Sequence, residues 1–356
     1  MRLRQFERPR VGVRLLAGLV TMWGSPFQAA AGFRPGAGRL QTRLLAGLVL
    51  AAFLAAAAER PLPVFLDTDI GDDIDDALAL ALALESPELK VLGISTVLQD
   101  GARRADLVWR ILQLYGRTDI PVGSGAERPL VAPPRTGPVR QVEALRPRDA
   151  MPADRRRNGV ELLIATCLHS TEKVTLVAYG PLTNIALALR SEPRLHDRIE
   201  RIVLMNGVFF RPGLEYNTKM DPEASAIVYS SGLPVTAVGL DVTMQCELTA
   251  DHLRRFAQSP LENVQFLWKL IQIWQGGNAS QRPILHDPLA VAVTVKPDLV
   301  STIAGTVSVE LKGTLEQTYG MTVFRKSATG VVRVAQEVSS AAAVEFFMQR
   351  VVAAPR

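Results

Sequence analysis

From residue 62 onward the chain repeats one pattern: a short apolar run, a polar loop, then a longer apolar or amphipathic stretch. The runs at Pro63–Leu66, Lys90–Val97, Lys173–Tyr179, Arg201–Met205 and Pro234–Leu240 predict strands, because short apolar segments rich in β-branched residues and bounded by polar ones suit a buried sheet. Helices are predicted over Leu182–Arg190, opened by Gly180-Pro181, over Pro222–Ser230 and over His286–Val295. Ala77–Leu84 alternates Ala and Leu with the period of a strand. It is predicted as a helix nonetheless: both residues are strong helix formers, β-branched residues are absent, and acids crowd its start as they do at helix N-termini.

Strands alternating with helices imply an α/β fold: an open, mostly parallel sheet with helices on both faces. Ligands in such sheets bind outside the carboxyl ends of the strands, so the polar clusters after these strands are expected to converge. Residues 299–336 carry β-branched alternation and read as late strands forming an edge hairpin. Residues 122–157 are rich in proline and arginine, including Arg155-Arg156-Arg157, and read either as a solvated excursion or as a flap over the site.

The 356 residues carry a net charge of +5, which taken alone suggests an anionic partner. The charge is unevenly placed. Residues 1–58 hold eight arginines and a single acid, Glu7, for +7; the remainder holds 32 basic and 34 acidic residues, for −2. Residues 44–58 read LLAGLVLAAFLAAAA, preceded by Arg39 and Arg43. Fifteen apolar residues fall short of the roughly 20 needed to span a bilayer. A basic flank, a short apolar core and an alanine-rich end fit a secretory signal cleaved near Ala58. Residues 1–58 are therefore expected to stand outside the fold, 59–356 to form one domain, and the protein to be secreted or periplasmic with no stable membrane anchor. RLLAGLV occurs at 14–20 and again at 43–49, and Met22 is an alternative start. The body offers no basic helix or basic stripe interleaved with aromatics, so nucleic acid is not an expected partner. Cys167 and Cys246, both in apolar contexts, are expected as buried thiols.

The most informative segment is Asp67-Thr68-Asp69-Ile70-Gly71-Asp72-Asp73-Ile74-Asp75-Asp76-Ala77: six carboxylates in ten residues, with no Lys or Arg among them, directly after an apolar strand. Crowded carboxylates repel unless neutralised, and a hard divalent cation with oxygen ligands does that. Gly71 permits the turn that folds such a loop. The spacing lacks the terminal Glu of an EF-hand. A strand-terminal DxD also occurs in haloacid-dehalogenase-type phosphatases, but that reading leaves Asp75-Asp76 and the remaining motifs unexplained.

The loop resembles the N-terminal fingerprint of the inosine–uridine-type nucleoside hydrolases, DTDxG followed by DDA. Three further segments match in order: Tyr179-Gly180-Pro181-Leu182-Thr183-Asn184-Ile185-Ala186 resembles the family's GPLTN segment, Glu215-Tyr216-Asn217 with Asp221-Pro222-Glu223-Ala224 its E-x-N…DPEA segment, and His286-Asp287-Pro288-Leu289-Ala290 its HDPLA motif. The resemblance implies a Rossmann-related sheet and Ca²⁺-dependent hydrolysis of the N-glycosidic bond of ribonucleosides to free base and ribose. It implies that Asp69 is both Ca²⁺ ligand and general base for water, and that Asp76, Asp287 and the backbone carbonyl of Tyr179 complete the metal set. Asp75 and Asn217 would hold the ribose 2′- and 3′-hydroxyls, Glu215 the 5′ side, and Asp67 would support the loop. Dimers or tetramers are common among relatives.

Four departures qualify these assignments. Asp72-Asp73-Ile74 stands where the common fingerprint has one residue, so Asp73 is an alternative to Asp75 or Asp76. Asp100 stands where relatives often carry an asparagine near the sugar. The stretch Asn206–Leu214 lacks a clear match for a further asparagine, though Asn206 itself could serve. Of the four histidines, His169, His196, His252 and His286, only His286 is placed to activate the leaving base. Trp274 is a candidate to stack on that base, with Phe209, Phe210 and Tyr216 as further candidates and Trp268 expected in the core. The alternative to a hydrolase is a catalytically weak relative that binds a nucleoside or sugar as a receptor.

Overall fold

Ten strands form one sheet in the computed structural model, which describes residues 60–131, 133, 137, 139–313 and 317–353. The arginine-rich leader lies outside the described residues. The strands are β1 (Leu62–Thr68), β2 (Leu89–Thr96), β3 (Val122–Ser124), β4 (Arg157–Asn158), β5 (Val174–Ala178), β6 (Ile199–Met205), β7 (Val235–Val238), β8 (Val300–Val309), β9 (Thr322–Lys326) and β10 (Val332–Val338). Their order is β4-β3-β2-β1-β5-β6-β7-β10-β8-β9, parallel from β4 through β10 and antiparallel at β10–β8 and β8–β9.

Side chains alternate across the sheet into two cores. Val64 and Leu66 of β1 face one, with Val203, Met205 and Val238; Phe65 faces the other, with Leu176, Ile202 and Leu204. Both faces are covered, which is why these strands read as unbroken apolar runs. Cys246 lies in the first core and Cys167 in the second, both as free buried thiols.

The Ala/Leu alternation is helical, over Asp75–Leu84, with every residue through Ala83 buried. The helix packs against Leu89–Thr96 and against the helices His286–Val295 and Ser340–Val351, so it has no solvent face, and a helix apolar all round is a buried one. Two expectations needed adjustment. Pro234–Leu240 is a strand only to Val238; Leu240–Thr243 turns helical, and the Asp241 carboxylate accepts from the amides of Phe209 (2.7 Å) and Phe210 (3.2 Å). The late strands include an edge pair, β8–β9, but β10 returns between β7 and β8, where it runs parallel to β7.

Within residues 122–157, Val139, Gln141, Ala144, Asp149 and Met151 are buried. Gln141 ties this segment to the acidic loop: its amide donates to Gly71 O (3.0 Å) and its side chain to the carbonyls of Asp72 (3.3 Å) and Asp73 (2.5 Å). Part of the excursion is thus packed over the site. Among the described residues no helix is long and apolar enough to cross a membrane.

Candidate active site

The chain runs outward from β1 to β4, then returns to the opposite side of β1 as β5, which makes the β1/β5 boundary the point where strand order reverses. Asp69 directly follows β1 and Tyr179 directly follows β5, at the carboxyl ends where doubly wound sheets bind ligands. A cavity of about 770 Å³ opens there. Asp69, Asp75, Asp76, Tyr179, Glu215, Asn217, Trp274, His286 and Asp287 line it, together with Asp73 and Tyr216.

Local hydrogen bonds fix the acidic loop. The Thr68 hydroxyl donates to Asp76 Oδ1 (2.5 Å) and accepts from the Ile70 amide (3.1 Å). Gly71 sits at φ +129°, and a Cβ there would meet Val139 Cγ1 at 2.3 Å. Gly180 is needed for a different reason: a Cβ would come within 2.9 Å of both the Asp69 amide nitrogen and its Oδ1. The β5 loop can approach Asp69 so closely only without a side chain. Asp67 Oδ1 accepts from the Ser95 hydroxyl and from Asn184 Nδ2 (2.7 Å), a supporting role beneath the loop. Asn184 also donates to Thr96 O and accepts from the Ala126 amide, and Asp221 caps its helix while accepting from Thr183.

Asp75, Asp76 and Asp287 are buried and bring carboxylate oxygens within 4.8 Å of one another. Burial, followed by the neighbouring negative charges, holds all three well above the ordinary carboxylate range. Burial raises Asp69 to about 7, against the opposing influence of Arg104. Each uncompensated buried carboxylate costs several kcal/mol. An all-oxygen donor set with excess negative charge suits a hard divalent cation, so these residues fit the metal that the sequence implies. Asp73 is not one of the three but lines the same cavity; it is exposed, and its Oδ1 accepts from the next amide, that of Ile74 (2.6 Å). Asp75, the residue expected to hold the ribose, adjoins Asp76 and Asp287 in this group, and Asp69 lines the same cavity.

On the far wall, Glu215 accepts from the amides of Asn217 (2.6 Å), Thr218 (2.9 Å) and Gly207 (3.1 Å) and from the Thr218 hydroxyl (2.9 Å). Its carboxylate is largely committed to holding two loops together. Asn217 Nδ2 donates to Met205 O (3.1 Å) and Tyr179 O (3.3 Å), which turns its Oδ1 into the acceptor left for a ligand. Asn206 is buried among Thr218 and Tyr229 and does not line the cavity.

His286 Nδ1 lies 2.7 Å from the Thr243 hydroxyl, and burial lowers its pKa to about 4, so the ring is neutral at pH 7. His169, His196 and His252 bond to backbone elsewhere. Trp274 and Tyr216 line the cavity, while Phe209 packs on Tyr229 and Phe210 on Phe324.

Asp100 is not brought into the site. It is exposed, in the left-handed region at φ 61°, and its carbonyl starts the helix Gly101–Leu114; Gln99 lines the cavity instead. Motif position placed Asp100 there, but the path of the loop, with Leu98 also at positive φ, rotates the neighbouring side chain inward. Arg104 had no sequence signal. It belongs to the helix Gly101–Leu114, absent from the expected elements, and it is fully buried against the acidic loop.

The chain matches the family model described as inosine-uridine preferring nucleoside hydrolase over residues 64–345. It is 38% identical over 279 residues to the pyrimidine-specific ribonucleoside hydrolase RihA of Escherichia coli O7:K1, covering 74% of this chain and 88% of the relative. RihA of Citrobacter koseri is likewise 38% identical, over 277 residues, with the same coverage of each chain. Among solved structures, a plant nucleoside hydrolase, PpNRh1, superposes with a TM-score of 0.73 at 26% identity, covering 83% of this chain and 100% of its own. The purine-preferring ribonucleoside hydrolase from Gardnerella vaginalis gives a TM-score of 0.69 at 28% identity, covering 81% and 98%.

Proposed function

Because this chain belongs to the inosine–uridine preferring nucleoside hydrolase family, and so hydrolyses the N-glycosidic bond of ribonucleosides, we propose that the acidic end of its cavity binds Ca²⁺ and that Asp69 is the general base. The observation that carries this reading is the buried group Asp75, Asp76 and Asp287, three carboxylates within 4.8 Å beside Asp69 in one cavity. Asp76, Asp287, Asp69 and the Tyr179 carbonyl would hold the ion. When bound, Ca²⁺ orients the attacking water and makes it more acidic.

The residues supply the rest. Asp69 takes the proton of the water, and Arg104 beside it favours the ionised form that a base requires. Asp75 and the free Oδ1 of Asn217 accept from the ribose hydroxyls, orienting the sugar. Positive charge develops on the sugar as the base departs, and the carboxylates around it stabilise that charge, as in glycoside hydrolysis generally. His286, neutral and held through Nδ1 by Thr243, has Nε2 left to hydrogen-bond the departing base. Trp274 and Tyr216 offer aromatic faces on which the base stacks.

Release of ribose reducing ends from a panel of purine and pyrimidine nucleosides tests this reading, with chelator and Ca²⁺ add-back. Turnover should be lost to the chelator, restored by Ca²⁺, and abolished in Asp69→Ala. Unchanged activity in Asp69→Ala would refute the base, and chelator-resistant turnover would refute the metal. We further propose export, on the strength of the apolar segment 44–58 behind Arg39 and Arg43. Mass spectrometry of the N-terminus in a natural host should find a start just after Ala58; an intact Met1 would refute it.

A further inference from the structure

Arg104 is the one guanidinium that enters the acidic loop among the described residues, and its side chain is 0% exposed. Its donors reach two loops at once. Nη1 donates to the carbonyls of Asp69 and Ile70, the latter at 2.9 Å, and Nη2 pairs with Asp72 at 2.7 Å. Nε donates to Gln99 O at 2.8 Å, in the loop after β2. Gln99 sits between Leu98 (φ 70°) and Asp100 (φ 61°), two left-handed positions that residues other than glycine seldom adopt, so this backbone path needs an external restraint. Asp72 in turn belongs to the longer stretch that separates Gly71 from Asp75 in this chain.

We propose that Arg104 is a positioning residue for the cation site and for Asp69, and that Asp72 is the partner that anchors it. The guanidinium fixes the carbonyl of Asp69, and thereby where its carboxylate points, while holding the Gln99 loop beside it. The longer loop and the buried arginine form one device: Asp72 supplies the counter-charge that lets a guanidinium stay buried beneath a cation site. This inference rests on the reading that the acids bind Ca²⁺.

Positioning and simple charge balance predict opposite outcomes. Removing a positive charge beside a cation site, by itself, strengthens cation binding. Removing a restraint on the ligand loop weakens it. Lysine keeps the charge but cannot span acceptors on two loops as the planar, five-donor guanidinium does.

The test measures Ca²⁺ affinity by calorimetry on the full chain, with kcat and KM for inosine and uridine at saturating Ca²⁺. Arg104→Lys and Arg104→Met should each weaken Ca²⁺ binding by about tenfold or more, the usual scale for residues that orient metal ligands, and lower kcat more than they raise KM. Asp72→Asn keeps the buried charge and serves where the Arg104 variants do not fold. It should lower kcat even at saturating Ca²⁺, with Asp72→Glu recovering part of the loss. Parent-like Ca²⁺ affinity in Arg104→Lys, tighter binding in Arg104→Met, or a parent-like kcat in Asp72→Asn would each overturn the proposal. A parent protein that takes up no Ca²⁺ and ignores chelator would instead refute the calcium reading beneath it.

Discussion

The hydroxyl of Thr243 lies 2.7 Å from Nδ1 of His286, and no other described group bonds to that ring nitrogen. The contact orients the ring: in the tautomer whose Nδ1 accepts from the threonine, Nε2 carries the proton and can donate to a departing base. Thr243→Val removes the hydroxyl at nearly constant volume. It should lower kcat by about tenfold, less than the roughly 100- to 10,000-fold contribution of a proton donor itself, with KM little changed. Steady-state kinetics on inosine and uridine check this, and His286→Ala should show the larger loss.

Metal-stripped protein should become less stable as pH rises toward neutrality. Burial pushes Asp67 and Asp69 from the ordinary 3.8 to about 7, and Asp75, Asp76 and Asp287 are raised as well. Without metal the folded state binds more protons than the unfolded chain between about pH 4 and 7. The contribution of these groups is fully present below the lower value and lost through the upper one. Thermal unfolding at pH 5, 6 and 7.5 should show the melting temperature of the stripped protein falling with pH. Saturating Ca²⁺ should reverse that trend, because the ion binds only the deprotonated acids.

Asp287→Asn separates binding from folding. It removes a ligand from the proposed site, so Ca²⁺ should no longer raise the melting temperature; in the parent, ligand at 100 times its Kd adds about 2.7 kcal/mol. In the absence of metal the same variant should melt no lower than the parent, since it removes a buried carboxyl group and its repulsion with Asp75 and Asp76. A lower melting temperature in chelator would count against the electrostatic account.

Gly180→Ala should abolish turnover while leaving most of the fold intact. The added Cβ would press on the Asp69 amide and Oδ1, both 2.9 Å away, at the centre of the site. Circular dichroism resembling the parent together with loss of ribose release is the expected result.

Trp274→Ala should raise KM for the nucleoside by about 5- to 150-fold, corresponding to about 1–3 kcal/mol of base stacking, and affect kcat less. Phe210→Ala, whose ring packs on Phe324 outside the cavity, should leave KM unchanged.

Much of the architecture is legible in the chain because local chemistry dictates it. Apolar β-branched runs form the parallel strands, and the acids at the start of Asp75–Leu84 mark a helix despite its two-residue alternation. The acids, Tyr179, Asn217 and His286 reach one cavity because the motifs sit directly after strands whose carboxyl ends share one edge of the sheet. What failed was conformation that depends on distant contacts. Asp100 and Gln99 are adjacent in sequence, and only the left-handed turns on either side decide which one faces the cavity.

By itself, then, the sequence determined the alternation of strand and helix, the concentration of acids after β1, and the family to which the motifs point, since each is written in residue types at short spacing. Only the tertiary structure decided that Asp75, Asp76 and Asp287 share one buried group, that Glu215 is committed to backbone amides, and that Arg104 lies beneath Asp69. Those relationships join residues up to 212 positions apart, as in the Asp287 amide on Asp75, and a pattern of neighbours along the chain carries no information about which distant carboxylates the packed sheet brings into contact.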